Sequence, residues 1–347
     1  MTQLATSPAP IASRVSFARG GLVLLLLLGA LALAVVASLG IGARPLSATL
    51  ILQLLCAPDG STESVVLWDL RLPRTLLGLL VGAALGLAGA LMQALTRNPL
   101  ADPGLLGINA GAAFAVVAGL SLAGLDDAPT RLACALLGAT LAAGLVYLLG
   151  ASAPARGQPL RLILAGIALS ASLHACTGII TLFDSAVFDS YRFWAVGALS
   201  GQTPGGALAI LPLLLIGLLL GLPLGGRLNA LALGDDLGRA LGARPGQLRL
   251  LAFIAIVLLC GGATAVAGPI GFLGLVVPHA LRLLVGADWR WILALAPLAG
   301  ANLLLLADTL GRRVALPGEL EAGIVCALLG TPVLLLLVIR SARRVRP

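Results

Sequence analysis

All 22 basic side chains of this 347-residue chain are arginines, and that alone removes several chemistries. A P-loop needs a lysine on the nucleotide phosphates, and a Schiff-base enzyme needs an amine. Neither can reside here. The five cysteines, Cys56, Cys134, Cys176, Cys260 and Cys326, fall without any short pairing, and His174 and His279 stand apart from each other and from metal-spaced partners. A disulfide framework, a zinc site and an activated nucleophile are all unsupported, and no paired carboxylates mark an acid–base enzyme. What remains is arginine–carboxylate recognition and unusual helix punctuation.

The arginines with the most pointed spacing are Arg71 and Arg74, which flank Leu72-Pro73, and Arg312-Arg313 at the end of an apolar run. A guanidinium grips a carboxylate bidentately, so these positions can receive acidic residues of another chain. Asp69, Glu319 and Glu321 are near enough in sequence to serve as internal partners, and both readings stand. Asp308 lies inside an apolar run, where acids are often functional. Arg312 is four residues on, which on a helix makes an ion pair.

Between Gly225 and Arg249 the chain is too polar to span a membrane and too patterned for a linker. Asp235 or Asp236 can cap a helix that Gly242 closes, with Leu233, Leu237 and Leu241 recurring every four residues. The pattern predicts one short amphipathic helix whose apolar stripe meets either another protein or its own bundle. Two further segments stop one helix and start another: Asn98-Pro99-Leu100-Ala101-Asp102-Pro103-Gly104 and Gly268-Pro269-Ile270-Gly271. Gly82, Gly86 and Ala90, with Gly89 beside them, form a stripe of small residues that admits a close helix neighbour. Gln93 follows near that face and can bond across the interface or line a path.

These features must be positioned by the remaining sequence, which is 59% hydrophobic and 10% charged, with mean hydropathy +1.08. No water-soluble fold hides so much apolar surface, and hydrocarbon favours helices because their backbone groups are satisfied internally. The fold class expected is all-α and polytopic, one domain over 1–347. Ten spans are readable, at 21–39, 75–96, 105–125, 130–150, 161–183, 205–223, 248–267, 270–286, 291–311 and 323–340, the eighth short. The first is read as a span rather than a signal peptide because its polar leader is long and many spans follow. With residues 1–20 and the C-terminus both cytoplasmic, about 15 arginines fall on that side, including Arg340, Arg343, Arg344 and Arg346. About seven arginines then face nine carboxylates outside, as the positive-inside rule requires. Trp68, Trp194, Trp289 and Trp291 sit near span ends, where amphipathic rings are favoured. A secondary transporter would show several intramembrane acids, and Asp308 stands alone.

In their order, Arg71-Leu72-Pro73-Arg74-Thr75, the Asn98–Gly104 segment, the 228–242 loop, Gly268-Pro269-Ile270-Gly271-Phe272, Pro278-His279 and Pro317-Gly318-Glu319-Leu320 resemble the permeases of ABC importers for iron siderophores, haem and vitamin B12. The resemblance covers about residues 20 to 340. Within that family, Gly86 through Gln93, Asn109-Ala110-Gly111, Tyr191-Arg192-Phe193-Trp194 and Val285-Gly286-Ala287-Asp288 resemble the ferric-enterobactin branch, which implies a ferric catecholate cargo.

The resemblance further implies a type II importer permease in the inner membrane, paired with a second permease, two ATPase subunits and a periplasmic binding protein. It implies no cofactor on this chain, with ATP and Mg held by the ATPase. Arg71, Arg74 and Arg312 match positions that receive the binding protein. Leu228, Asn229, Leu231, Leu233, Gly234, Asp235, Asp236, Leu237, Arg239, Leu241 and Gly242 match the element that couples to the ATPase. Gln158, Pro159 and Gln93 are candidates for the gate or pathway, and spans five and ten for its lining. The chain departs from the pattern at Glu321-Ala322 and at Gly330-Thr331-Pro332.

Overall fold

A computed structural model describes residues 17–124, 127–151, 158–201, 204–315 and 318–345, all helices and connections. In chain order they are α1 Phe17–Gly40, α2 Ala48–Cys56, α3 Thr62–Val65, a π-helical turn Val66–Arg71, α4 Leu72–Thr96, a 3-10 turn Pro103–Leu106, α5 Ile108–Ala123, α6 Ala128–Ala151, α7 Gln158–Phe183, α8 Ser185–Ala195, α9 Pro204–Gly221, α10 Gly225–Ala232, α11 Asp235–Ala240, α12 Pro245–Ala267, α13 Leu273–Val285, α14 Trp289–Val314 and α15 Ala322–Val345. Pro317 and Arg346 lie outside the described residues. Among those described, seven segments are long and apolar enough to cross a membrane, and three shorter apolar helices, Ile108–Ala123, Leu273–Val285 and Ala322–Leu337, complete the ten expected spans.

The centre of the bundle is α4, whose residues from Ala84 to Thr96 are buried on every side. A helix that is apolar all round has no lipid face to offer and belongs in a core. Its small residues set how near its neighbours come. A Cβ on Gly86 would overlap the carbonyl of Ala296 in α14, one on Gly300 would overlap the carbonyl of Gly82, and one on Gly89 would overlap the backbone of Gly274 in α13. The stripe therefore serves two crossings. In lipid such close approach is what helix association relies on, since apolar burial gives no preference for protein over acyl chains.

The two punctuated segments meet at this centre. Asp102 accepts from the Gly104 amide at 2.8 Å and caps the 3-10 turn, with Pro103 at its first position. Gly274 packs beside the Pro103 ring and Gly89. The eighth span is short because residues 268–272 descend without helix before α13 starts. Irregular backbone at that depth is tolerated where protein surrounds it; here Gly268 donates to Thr264, Ala198 donates to Ala267, and the Gly268 Cα lies close to the Trp194 carbonyl.

Helices α4 and α14 run antiparallel, which brings the start of α4 to the end of α14 at one end of the bundle. The opposite end gathers the start of α1, the end of α4, α10 and α11, and the junction of α13 with α14. Phe17 meets Trp291 there edge-on, ring centroids 5.7 Å apart, and Arg19 donates to the Leu283 carbonyl. The first end is called the arginine end below, and the second the loop end.

Candidate functional site

At the loop end the sequence predicts one amphipathic helix, and the structure has two. Leu233 and Gly234 separate α10 from α11, with Gly234 at φ +113°, a conformation that side chains rarely adopt. Neither Asp235 nor Asp236 caps α11, because the helix starts at Asp235 itself, with Gly234 in the cap position. The carboxylate of Asp235 instead bridges two other elements. Arg97, at the end of α4, donates to its Oδ1 at 2.6 Å, and Arg249, near the start of α12, donates to its Oδ2 at 2.7 Å. Burial pushes the Asp235 carboxyl up, but the hydrogen bonds and charges of Arg97 and Arg249 outweigh it and hold it below the usual carboxylate range.

A second anchor fixes α10. Asn229 Nδ2 donates to Asp288 Oδ1 at 2.6 Å while its own Oδ1 accepts from the Trp289 amide at 2.9 Å, and Asp288 also caps α14 through the Arg290 amide. Leu228 and Leu231 are buried and hold α10 on the bundle. The three leucines of the predicted stripe, Leu233, Leu237 and Leu241, are exposed, at 61%, 58% and 64%. Asp236 and Arg239 pair at 3.2 Å on the same exposed helix. Gly242, at φ +81°, ends the segment as expected. The stripe thus lies outside its own bundle, while α10 before it packs inward.

The arginine end shows how the three expected docking residues are held. Arg74 donates to Asp308 through Nε, at 3.0 Å to Oδ1 and 3.1 Å to Oδ2, and through Nη2 at 2.9 Å to Oδ1. Its Nη1 donates to Glu319 at 2.6 Å. Arg312 pairs with the same Asp308 at 3.1 Å and donates at 2.9 Å to the carbonyls of Ser38 and Ile41. Arg71 donates to the carbonyls of Leu39, Gly40 and Arg44, at the end of α1 and in the connection after it. Of the two readings left open by the sequence, the internal one is realised in part: all three arginines have partners within the chain, Glu319 among them. The physical reason is that each lies on a buried helix face, where an unpaired charge is prohibitively costly. Asp308 forms the expected i,i+4 pair with Arg312, and sequence reasoning missed its stronger partner 234 residues away. Only the span order, bringing the start of α4 beside the end of α14, hinted at it.

A cavity of about 740 Å3 opens at this end, and its walls include Arg44, Asp69, Arg71, Arg74, Ser200, Arg312 and Glu319. Glu321, where the sequence departs from the family pattern, accepts from Ser200 Oγ at 2.9 Å. The α15 start is tied down there as well, by the Gly323 amide donating to the Gly197 carbonyl at 2.9 Å.

Between the two ends, α7 is the least buried of the long apolar helices. It exposes Ala168, Ala171, Ser172, His174, Ala175, Cys176 and Gly178 together with the larger apolar Leu164, Ile167, Ile179 and Leu182. His174 Nδ1 lies 2.7 Å from the Ser170 carbonyl, and Ser172 donates to the Ala168 carbonyl at 3.0 Å. Gln93 is fully buried and donates to the Leu275 carbonyl at 3.3 Å, so within this chain it bonds across a helix interface instead of lining an opening. Gln158 and Pro159 form the first turn of α7, and their side chains lie outside the described residues.

Comparison with known proteins gives a consistent result. The FecCD transport family matches residues 30–340. The ferric enterobactin transport system permease protein FepD of Escherichia coli is 47% identical over 93% of this chain and 95% of its own length. The hemin transport system permease protein HmuU of Yersinia pestis is 41% identical over 79% and 83% respectively. A solved chain described as an inward-facing, metal-chelate type ABC transporter superposes with a TM-score of 0.80 at 29% identity, covering 92% of this chain and 99% of that one.

Proposed function

The chain belongs to the FecCD transport family, and from its likeness to the permease of a ferric enterobactin transport system we propose that it carries a ferric catecholate siderophore of the ferric-enterobactin kind across the inner membrane. ATP and Mg belong to a separate ATPase that docks on α11, and a second permease completes the path. The observation that carries the mechanism is the loop end. Leu233, Leu237 and Leu241 are the exposed leucines of a segment that Asn229 and Asp235 anchor to the bundle. A surface of that kind on a water-facing loop marks a protein contact.

With both termini and the loop end cytoplasmic, the arginine end faces outward and its cavity receives the binding protein. Carboxylates arriving there reach Arg44 first and must compete with Glu319 for Arg74, while Arg71 and Arg312 supply the charge behind them. The mid-part of α7, where Ala168, Ala171, Ser172, His174 and Ala175 are exposed, faces the second permease, because small and polar side chains favour helix contacts over lipid. Alternating access follows: nucleotide-driven closure of the ATPases moves α11, and the bundle switches between outward-open and inward-open states. An ion-coupled mechanism finds little support in Asp308, whose charge is neutralised by Arg74 and Arg312.

The cargo is supported by likeness to FepD, and likeness to HmuU favours haem as the second reading. Reconstituting the chain with its partner permease, ATPase and binding protein, and measuring ATP-dependent uptake of radiolabelled ferric enterobactin, separates them. Uptake of ferric enterobactin and not haem is expected; haem uptake alone overturns the cargo. The Leu233→Ala/Leu237→Ala/Leu241→Ala variant is expected to lose both its copurifying ATPase and its uptake. Retention of both would refute docking through α11.

A further inference from the structure

The loop is attached at two places on either side of Gly234. On one side Asn229 and Asp288 lock α10 to the start of α14. On the other, a single carboxylate joins α11 to two core helices at once. Asp235 gives one oxygen to Arg97 and the other to Arg249, and all three groups sit at the base of α11, not on its exposed leucine face.

The backbone at Arg97 adds a second observation. Arg97 ends α4 at φ 52°, one of two non-glycine residues in the described chain with positive φ. A glycine there would end the helix without strain, as it does in most left-handed caps. The position instead bears a side chain whose guanidinium reaches Asp235 across 138 residues of sequence. Asp236, one residue on, pairs with Arg239 within α11.

We propose that Asp235 is the positioning residue that makes α11 a lever on the bundle: its carboxylate, shared between Arg97 and Arg249, passes displacement of the leucine face to α4 and α12, with Gly234 as the pivot. The pivot lets α11 turn while α10 stays locked to α14. Displacement of α4 reaches α13 and α14 directly, because Gly89 meets Gly274 and Gly82 meets Gly300 at backbone contact. The inference rests on the reading of α11 as the ATPase dock and adds to it the residue through which docking becomes movement.

The test uses the full complex in liposomes, with ATPase retention, unstimulated hydrolysis, hydrolysis stimulated by loaded binding protein, and uptake measured side by side. Asp235→Asn is expected to retain the ATPase but lower the stimulated-to-unstimulated ratio and the uptake about five- to tenfold. Arg97→Gln should do the same, the double variant should be no worse than the worse single one, and Asp235→Glu should recover most of the ratio. A wild-type ratio in Asp235→Asn overturns the proposal, as do additive effects in the double variant. Loss of the ATPase from Asp235→Asn also overturns it, by making Asp235 a docking contact. If the triple leucine-to-alanine chain keeps its ATPase and uptake, the docking reading itself falls; if that chain is dead while Asp235→Asn is normal, only the lever does.

Discussion

Replacing Asp308 by alanine tests whether the arginine end is held by charge. The carboxylate is fully buried, and its removal leaves Arg312, 3% exposed, and Arg74, 11% exposed, facing the gap with their positive charges. Deleting one partner of a buried ion pair costs about 3–5 kcal/mol, mostly because the other charge stays buried and unpaired. Arg312 retains the Ser38 and Ile41 carbonyls and Arg74 retains Glu319, which places the expected loss near the lower bound, about 3 kcal/mol. That is roughly a hundred-fold in the unfolding equilibrium. Glu319→Gln is the internal control. It also removes a carboxylate from Arg74, at the shorter distance of 2.6 Å, but Glu319 is 37% exposed and water can replace it. Its loss is expected to cost less than about 1 kcal/mol. Both variants would be unfolded by SDS titration in mixed micelles and followed by near-ultraviolet circular dichroism. If Asp308→Ala costs no more than Glu319→Gln, the buried network is not what holds α4 to α14, and the reasoning from burial fails.

Gly89→Ala is expected to destabilise by about 1–3 kcal/mol, because its Cβ would overlap the backbone of Gly274, which cannot rotate away. Gly144→Ala, with nothing within 4 Å, should be neutral in the same titration, and equal effects would refute the crossing argument. Asp102 offers a pH test. Burial raises its carboxyl above the ordinary value, although the Gly104 amide pulls the other way, so the folded chain keeps the proton to higher pH than the unfolded one. Stability should therefore fall as pH rises from about 3.9 through the folded value and then level off. Asp102→Asn keeps a cap acceptor and lacks that fall, so its stability should match or exceed wild type above the window. Parallel pH profiles for the two chains would refute it.

Sequence is most informative where the physics is local. Hydrocarbon acts on consecutive residues, so each apolar run shows its own span, and all ten expected runs are apolar helices in the structure. The chain breaks at Pro99–Pro103 and Gly268–Gly271 are equally legible, since proline and glycine act on their own backbone. Docking surfaces are less so. The four-residue repeat of Leu233, Leu237 and Leu241 is visible in sequence, but not the break at Gly234 that leaves α10 inside and α11 outside, because burial of Leu228 and Leu231 depends on α14 lying beneath them.

The sequence by itself determined that this is a polytopic helical membrane protein lacking the lysine a P-loop needs, together with its span order and the family that its motifs resemble. Only the tertiary structure decided which charges meet. Asp308 lies four residues from Arg312 and 234 from Arg74, yet Arg74 grips it with two nitrogens; Asp235 has Asp236 and Arg239 beside it, yet binds Arg97 and Arg249. Ion pairs between helices follow from which helices touch and at what height. In a bilayer those contacts are chosen by backbone-to-backbone fits such as Gly82 with Gly300 and Gly89 with Gly274, where hydropathy is the same for every candidate neighbour and only shape discriminates.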